Sequence, residues 1–264
     1  MTVVSEIVKN KKIQVAKDKE KKSSNIIKKI ATDIASTRSE NFRFQEKLKD
    51  KTSTKLISEF KPASPSKGDI SSLSIENVIG IYDEYDADMI SILTEESFFK
   101  GSIDNLSRAV GLTDKPILRK DFFIDEYMIY QAVAHGASAV LLINGVCPDM
   151  EGYLNLCADL GVDAIVECHT KQDLDDVIDL DPKIIGVNNR NFTDLSIDLN
   201  TTKQLAKYIP NYMISESGVR STDDAKLLKS YGADALLIGT AILESNSEDK
   251  IGRFIKQLKE TLKN

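Results

Sequence analysis

Five short apolar runs in this chain end in groups that can hold or move a proton. KLISEFK closes on Glu59 and Lys61, PILRK on Lys120, DAIVE on Glu167, KIIGVN on Asn188, and YMISES on Glu216 with Ser217. Residues two apart on an extended strand point to the same side, so Glu59 and Lys61 share a face with Ile57 behind them. Any one such group reads equally well as a solvated strand end. Two lysines and three glutamates brought to one mouth would instead be an acid/base set, with opposite charges close enough to shift one another's proton affinity. The Asn188 run continues as NNRN, a dense cluster of amides with one guanidinium. Arg190 there can fork onto a ligand's carboxylate or bridge to an acidic neighbour. SESGVRS and LIGTAIL add Ser217, Gly218, Gly239 and Thr240, whose backbone amides and hydroxyls suit a phosphate. The Pro- and Ser-rich stretch after the first run offers Ser64 to the same group, as a loop able to close over it.

These groups work together only if the chain gathers the ends of those runs. From residue 55 onward, eight apolar runs alternate with longer amphipathic stretches: 56–60, 87–92, 116–120, 138–143, 163–167, 183–188, 212–216 and 234–239. Their Ile, Val and Leu content is that of parallel strands buried on both faces. Helical spacing falls between them, among others over 126–134, 150–160, 171–178, 222–231 and 248–262, with Asp125, Thr170 and Ser221 as N-caps. In HGASAVLLI, LGVDAIVE and YGADALLIG a glycine ends a helix just before a strand, the junction of a repeated β/α unit. Eight such units predict a (β/α)8 barrel, an α/β fold of TIM type, in which the strand C-termini form one rim. A doubly wound open sheet is the competing architecture, but no GxGxxG follows the first strand. No linker or composition shift divides the chain, so residues 1–264 read as a single domain: an N-terminal helical extension over 1–54, packed on one end, and the barrel over 55–264.

Bulk composition narrows the partners. Of 264 residues, 41% are hydrophobic and 29% charged, enough to bury a large core. A net charge of -6 argues against a nucleic-acid partner, because phosphate backbones select a basic face. The nine lysines between Lys9 and Lys29 read as the wet face of N-terminal helices rather than a polyanion-binding arm. No apolar run approaches the roughly 20 residues that span a bilayer, and the start lacks a signal-peptide core, so a cytoplasmic protein without a membrane partner is expected. Cys147, Cys157 and Cys168 have no CxxC spacing, and with only His135 and His169 beside them no metal site is expected.

Taken in order, these motifs make the chain resemble the indole-3-glycerol phosphate synthases, barrel enzymes of tryptophan biosynthesis. The likeness is carried by SEFKPASPSKG, SILTEESFFKGS, PILRKDFFIDEYMIYQA, VECHT, IGVNNRNF, SESGV and LIGTAIL, and by the helical extension. The resemblance implies ring closure of 1-(2-carboxyphenylamino)-1-deoxyribulose 5-phosphate, with loss of carbon dioxide and water. It implies Lys120 as general acid at the ribulose carbonyl, Lys61 as the second lysine, and Glu59 and Glu167 as acid/base carboxylates. Asn188 and Glu216 would orient the substrate and the charged network, with Arg190 on the anthranilate side and Phe99 and Phe122 as apolar walls. Ser64, Ser217, Gly218, Gly239 and Thr240 would hold the phosphate. No cofactor is implied; a small-molecule substrate and a monomer are expected, and a partner subunit is left open. Asn191 stands where the family commonly has aspartate, and Thr240 where it often has serine or glutamate; neither change removes an acid, a base or a lysine. A sister barrel isomerase would use other acid/base residues near the first strand, and the pairing of Lys61 with Lys120 counts against it. A catalytically silent sugar-phosphate sensor would be free to lose Lys120 or Glu167, and both are present.

Overall fold

A computed structural model describes residues 2–263. The barrel strands are β1 (Lys55–Phe60), β2 (Met89–Leu93), β3 (Ile117–Lys120), β4 (Ala139–Ile143), β5 (Asp163–Cys168), β6 (Ile184–Asn188), β7 (Tyr212–Glu216) and β8 (Ala235–Ile238). All eight are parallel, each pairs with the next, and β8 closes on β1. The expected (β/α)8 barrel is therefore observed, with strand limits within two residues of those read from the sequence. The helices are α1 (Val3–Lys21), α2 (Ser24–Thr37), α3 (Arg43–Lys49), α4 (Ile75–Glu84), α5 (Ile103–Val110), α6 (Tyr127–Ala134), α7 (Met150–Asp159), α8 (Lys171–Val177), α9 (Asn200–Ala206), α10 (Thr222–Ser230), α11 (Thr240–Leu243) and α12 (Glu248–Leu262). None of them is long and apolar enough to cross a membrane, among the described residues.

Alternation along the strands builds two cores. Outward residues such as Ile90, Val140, Val166, Ile185 and Leu236 meet the helices, while Ile57, Met89, Leu118, Ile165, Ile184 and Ile214 fill the barrel. Each such side chain taken from water contributes about 1.5–3 kcal/mol, which is why both faces of these runs are apolar. The glycines at the αβ junctions do the turning: Gly136 and Gly232 sit at φ 84° and 92°, a left-handed conformation that a side chain would strain. Thr170 and Ser221 cap α8 and α10, each in a reciprocal capping box with the aspartate at the third helical position. Asp125 differs from the expectation. Glu126 occupies the cap position of α6 and makes no side-chain cap bond, while Asp125 Oδ1 accepts from the Tyr127 amide at 3.0 Å.

The N-terminal extension packs on both ends of the barrel rather than on one. Phe44 and Leu48 of α3 enter the interior core at the strand N-termini, where the Phe44 amide donates to Asp163 Oδ2 at 2.8 Å. At the opposite end, Val3, Val4 and Ile7 of α1 border the cavity over the strand C-termini. The lysine-rich face is wet with one exception: Lys11 is 1% exposed, and its Nζ lies 2.8 Å from Asp121 Oδ1. Asp121 also bonds Thr94 and Arg119, both fully enclosed, so the pair ties α1 to the end of β3 through a satisfied buried network. Lys11→Ala is expected to cost about 3 kcal/mol of stability, because removing one partner leaves Asp121 under-compensated in the interior. Urea unfolding at neutral pH measures this, and a change within experimental error would show that Arg119 alone satisfies Asp121.

Candidate active site

The strand register explains why the charged residues meet. Glu59 pairs with Ser91, which pairs with Leu118; Glu216 pairs with Leu237, which pairs with Ile57. Each step from one odd-numbered strand to the next thus climbs two residues along the barrel axis, and Glu59, Lys120, Glu167 and Glu216 fall into one layer supplied by alternate strands. Below them the same strands carry Ile57, Leu118, Ile165 and Ile214, so a dry apolar floor underlies four ionisable groups. Leu93, Ile143 and Asn188 come from the even strands and stand beside this layer in the cavity wall.

Within the layer, Lys120 Nζ binds Glu216 Oε2 directly and stands 3.4 Å from Glu167 Oε2. Lys61, one residue beyond the end of β1, places its Nζ 2.7 Å from Glu59 Oε1. Glu59, Glu167 and Glu216 are only 1–2% exposed, yet among the described residues Glu59 Oε2 and Glu216 Oε1 have no hydrogen-bond partner, and Glu167 Oε1 faces only His169 Nε2, 3.1 Å away. Buried carboxylate oxygens normally are satisfied, and unsatisfied ones mark a site built for something other than stability. Burial works against the Lys120 charge, but Glu216, Glu167 and Glu59 outweigh it and hold the ammonium above its ordinary range. Burial also raises Glu216, with Lys120 opposing and Glu167 and Glu59 reinforcing the rise. Glu167 moves the other way: burial is overcome by Lys120 and His169, which keep it ionised. Adjacent carboxylates pushed apart in proton affinity around one ammonium are the signature of acid/base machinery.

Two glycines make room for these acids. A Cβ at Gly186 would stand 2.5 Å from Glu216 Oε1, and one at Gly239 would stand 3.0 Å from Glu59 Cβ. The sequence reading has Gly239 approach a phosphate; the neighbour that a side chain there would meet is Glu59. Ser217 and Gly218 follow β7 at φ 66° and 98°, turning the chain so that both line the cavity with Ser64, Gly239 and Thr240. Ser64 pairs with Gly68 in a small antiparallel hairpin inside the loop after β1.

NNRN splits into distinct parts. Asn188 Oδ1 accepts from the Arg190 amide at 3.0 Å, and both residues line the cavity. Asn189 is turned away, clamping β7 through Ser215, Glu216 and Ser217 and accepting from Thr202. Asn191 Oδ1 accepts from the Thr193 amide and stays in the loop. The Arg190 guanidinium donates to the Leu195 carbonyl at 3.0 Å and pairs with no carboxylate among the described residues, so the bridge to an acidic neighbour is not formed. Burial and the nearby Arg220 charge lower its proton affinity. It remains a forked donor facing the cavity.

Part of the wall is aromatic. Phe99 and Phe122 lie 6.4 Å apart, and Phe122 is 6.4 Å from Phe192. Glu95 accepts from the amides of Ser97, Phe98 and Phe99, fixing the loop that presents Phe99. The whole cavity holds about 370 Å³, in the range of small-molecule sites. Every site residue read from the sequence lies on it. Among the contributions that escaped that reading are His169, Phe192, Arg220 and the Val3, Val4 and Ile7 face of α1. His169 had a signal in its position two residues after Glu167, and Arg220 in its place just after SESGV.

A (β/α)8 barrel with an acid/base layer and a forked cation at the C-terminal mouth defines an enzyme of the barrel class. The family model for indole-3-glycerol phosphate synthase matches residues 4–258. Relatives of that name from Thermoanaerobacter sp. and Methanothermobacter marburgensis are 40% and 39% identical to this chain. The first covers 97% of this chain and 98% of the relative, the second 92% and 87%. A solved thiamine phosphate pyrophosphorylase from Pyrococcus furiosus is similar in fold alone, with TM-score 0.61, 14% identity, and coverage of 80% of this chain and 96% of that one. The chain belongs to the indole-3-glycerol phosphate synthase family.

Proposed function

We propose that this protein closes the pyrrole ring of 1-(2-carboxyphenylamino)-1-deoxyribulose 5-phosphate, releasing carbon dioxide and water to give indole-3-glycerol phosphate. The observation that carries the reading is Lys120, held charged by Glu167 and Glu216 over an apolar floor. Lys120 protonates the carbonyl oxygen as the aromatic carbon attacks, and Arg190 holds the anthranilate carboxylate until it leaves as carbon dioxide. Phe99 and Phe122 flank the ring. Glu59 and Lys61 serve the dehydration, one as base and the other as acid. Ser64, Ser217, Gly218, Gly239 and Thr240 receive the phosphate, and Asn188 and Glu216 orient the substrate and the charged network. The protein acts as a cytoplasmic monomer with one domain.

The test is to add that substrate to purified protein and follow indole fluorescence. The chain has no tryptophan, so its own emission background is low. Indole emission rising in proportion to protein concentration is the expected result; folded protein that yields none overturns the assignment.

A further inference from the structure

His169 lies outside the roles assigned so far, and its contacts constrain where a proton sits. Its Nδ1 is 2.9 Å from the backbone carbonyl oxygen of Arg190. A carbonyl only accepts, so Nδ1 carries the hydrogen. The other ring nitrogen, Nε2, faces Glu167 Oε1 at 3.1 Å, and neither atom has another hydrogen-bond partner among the described residues. With Nδ1 already protonated, a neutral ring would set the Nε2 lone pair against a carboxylate, which repels. A single proton on Nε2, pointing along the Nε2–Oε1 line, converts this into an imidazolium–carboxylate pair.

We propose that His169 and Glu167 form a dyad holding one proton between Nε2 and Oε1, which makes His169 a positioning residue for the acid/base layer. Glu167 then stays ionised towards Lys120 on its other oxygen, and its carboxylate is fixed in the plane that meets Nζ. The same ring ties the site to the loop after β6, through the Arg190 carbonyl and through its face, 4.0 Å from Phe192. The surroundings agree in sign. Burial opposes charge on the imidazole, but Glu167, the Arg190 carbonyl and Asp173 outweigh it and hold His169 above its ordinary value. The charged groups around the ring are Glu167 on β5, Asp173 on α8, whose carboxylate accepts from the His169 amide, Lys120 on β3 acting through Glu167, and the Arg190 side chain after β6.

The chain has two histidines, so a nitrogen-15 NMR titration of the whole protein resolves both rings. His169 is expected to keep its Nδ1 proton throughout and to lose the Nε2 proton only above the ordinary histidine range, while burial keeps His135 below it. In Glu167→Gln the His169 titration moves down. A His169 ring that titrates at or below the ordinary value, or that is unmoved in Glu167→Gln, overturns the dyad without reference to turnover. The catalytic consequence rests on the synthase reading. His169→Gln loses roughly 10- to 100-fold in kcat with little change in KM, and it lacks the alkaline decline that the parent shows as the dyad gives up its proton. A variant slowed equally at every pH, keeping the parental profile, would show that His169 only packs. A parent protein without turnover would end the synthase reading and leave the NMR result standing.

Discussion

Lys120→Ala is expected to bind substrate nearly as tightly as the parent protein and to lose roughly 10²- to 10⁴-fold in turnover, the range set by removing a positioned general acid. Glu216 and Glu167 at its Nζ, with the Glu59 charge nearby, outweigh burial and hold the ammonium above its ordinary range, so it is charged at neutral pH. Such a group does not give its proton to water or to a neutral carbonyl. It gives it to an oxygen that has become alkoxide-like, so the transfer accompanies ring closure and contributes where the barrier lies. Substrate affinity is spared because Arg190 and the phosphate-facing loops are untouched. Removing the ammonium leaves Glu167 and Glu216 facing each other without their shared cation, and the variant is expected to take up a proton, on Glu216, which burial already favours in its neutral form. Lys120→Arg separates acid catalysis from simple charge. It restores a cation to the layer, but a guanidinium is too weak an acid and too broad a fork to replace Nζ, so turnover stays low. Single-turnover mixing measures the chemical step directly. Turnover at the parental rate in Lys120→Ala would remove Lys120 from its assigned role, and full recovery in Lys120→Arg would reduce that role to electrostatics.

The barrel was legible because its physics is local and repetitive. Runs such as AVLLI are apolar at every position because β4 is buried on both faces, and the glycine junctions before such strands mark where each unit turns. The acid/base layer was legible for a related reason: period two along each strand puts Glu59 above Ile57, Lys120 above Leu118 and Glu167 above Ile165, so a charge that ends a buried run must face the mouth. His169 was not legible, because its meaning depends on a carbonyl returned by a loop 21 residues later. Asn189 resembled its neighbour Asn188 in sequence, and only the pairing of β6 with β7 separates a clamp from a site residue. The extension misled in a different way. An amphipathic helix announces that it packs, while the end of the barrel it chooses is set by long-range partners, here Asp121 for α1 and Asp163 for α3.

Glu59→Gln should stall the reaction after decarboxylation. Glu59 keeps one buried oxygen without a hydrogen-bond partner among the described residues, and its other oxygen is 2.7 Å from Lys61 Nζ, so a base and an acid stand side by side at the edge of the layer. Dehydration needs both: the departing hydroxyl takes a proton, and the product loses one as the ring becomes aromatic. Glutamine preserves the shape against Gly239 but can neither accept a proton nor balance the ammonium. Indole formation is expected to fall roughly 10²- to 10³-fold, within the span of general acid/base effects, while carbon dioxide release in the first turnover stays near the parental rate. Lys61→Met should show the same separation, because each member loses its function with the other, and the double variant should cost little more than the worse single one. Rapid quench for carbon dioxide, run beside stopped-flow indole fluorescence, distinguishes the outcomes. Both signals slowing together would place Glu59 in ring closure, and additive losses would mean that Lys61 holds the substrate independently of the proton that Glu59 takes.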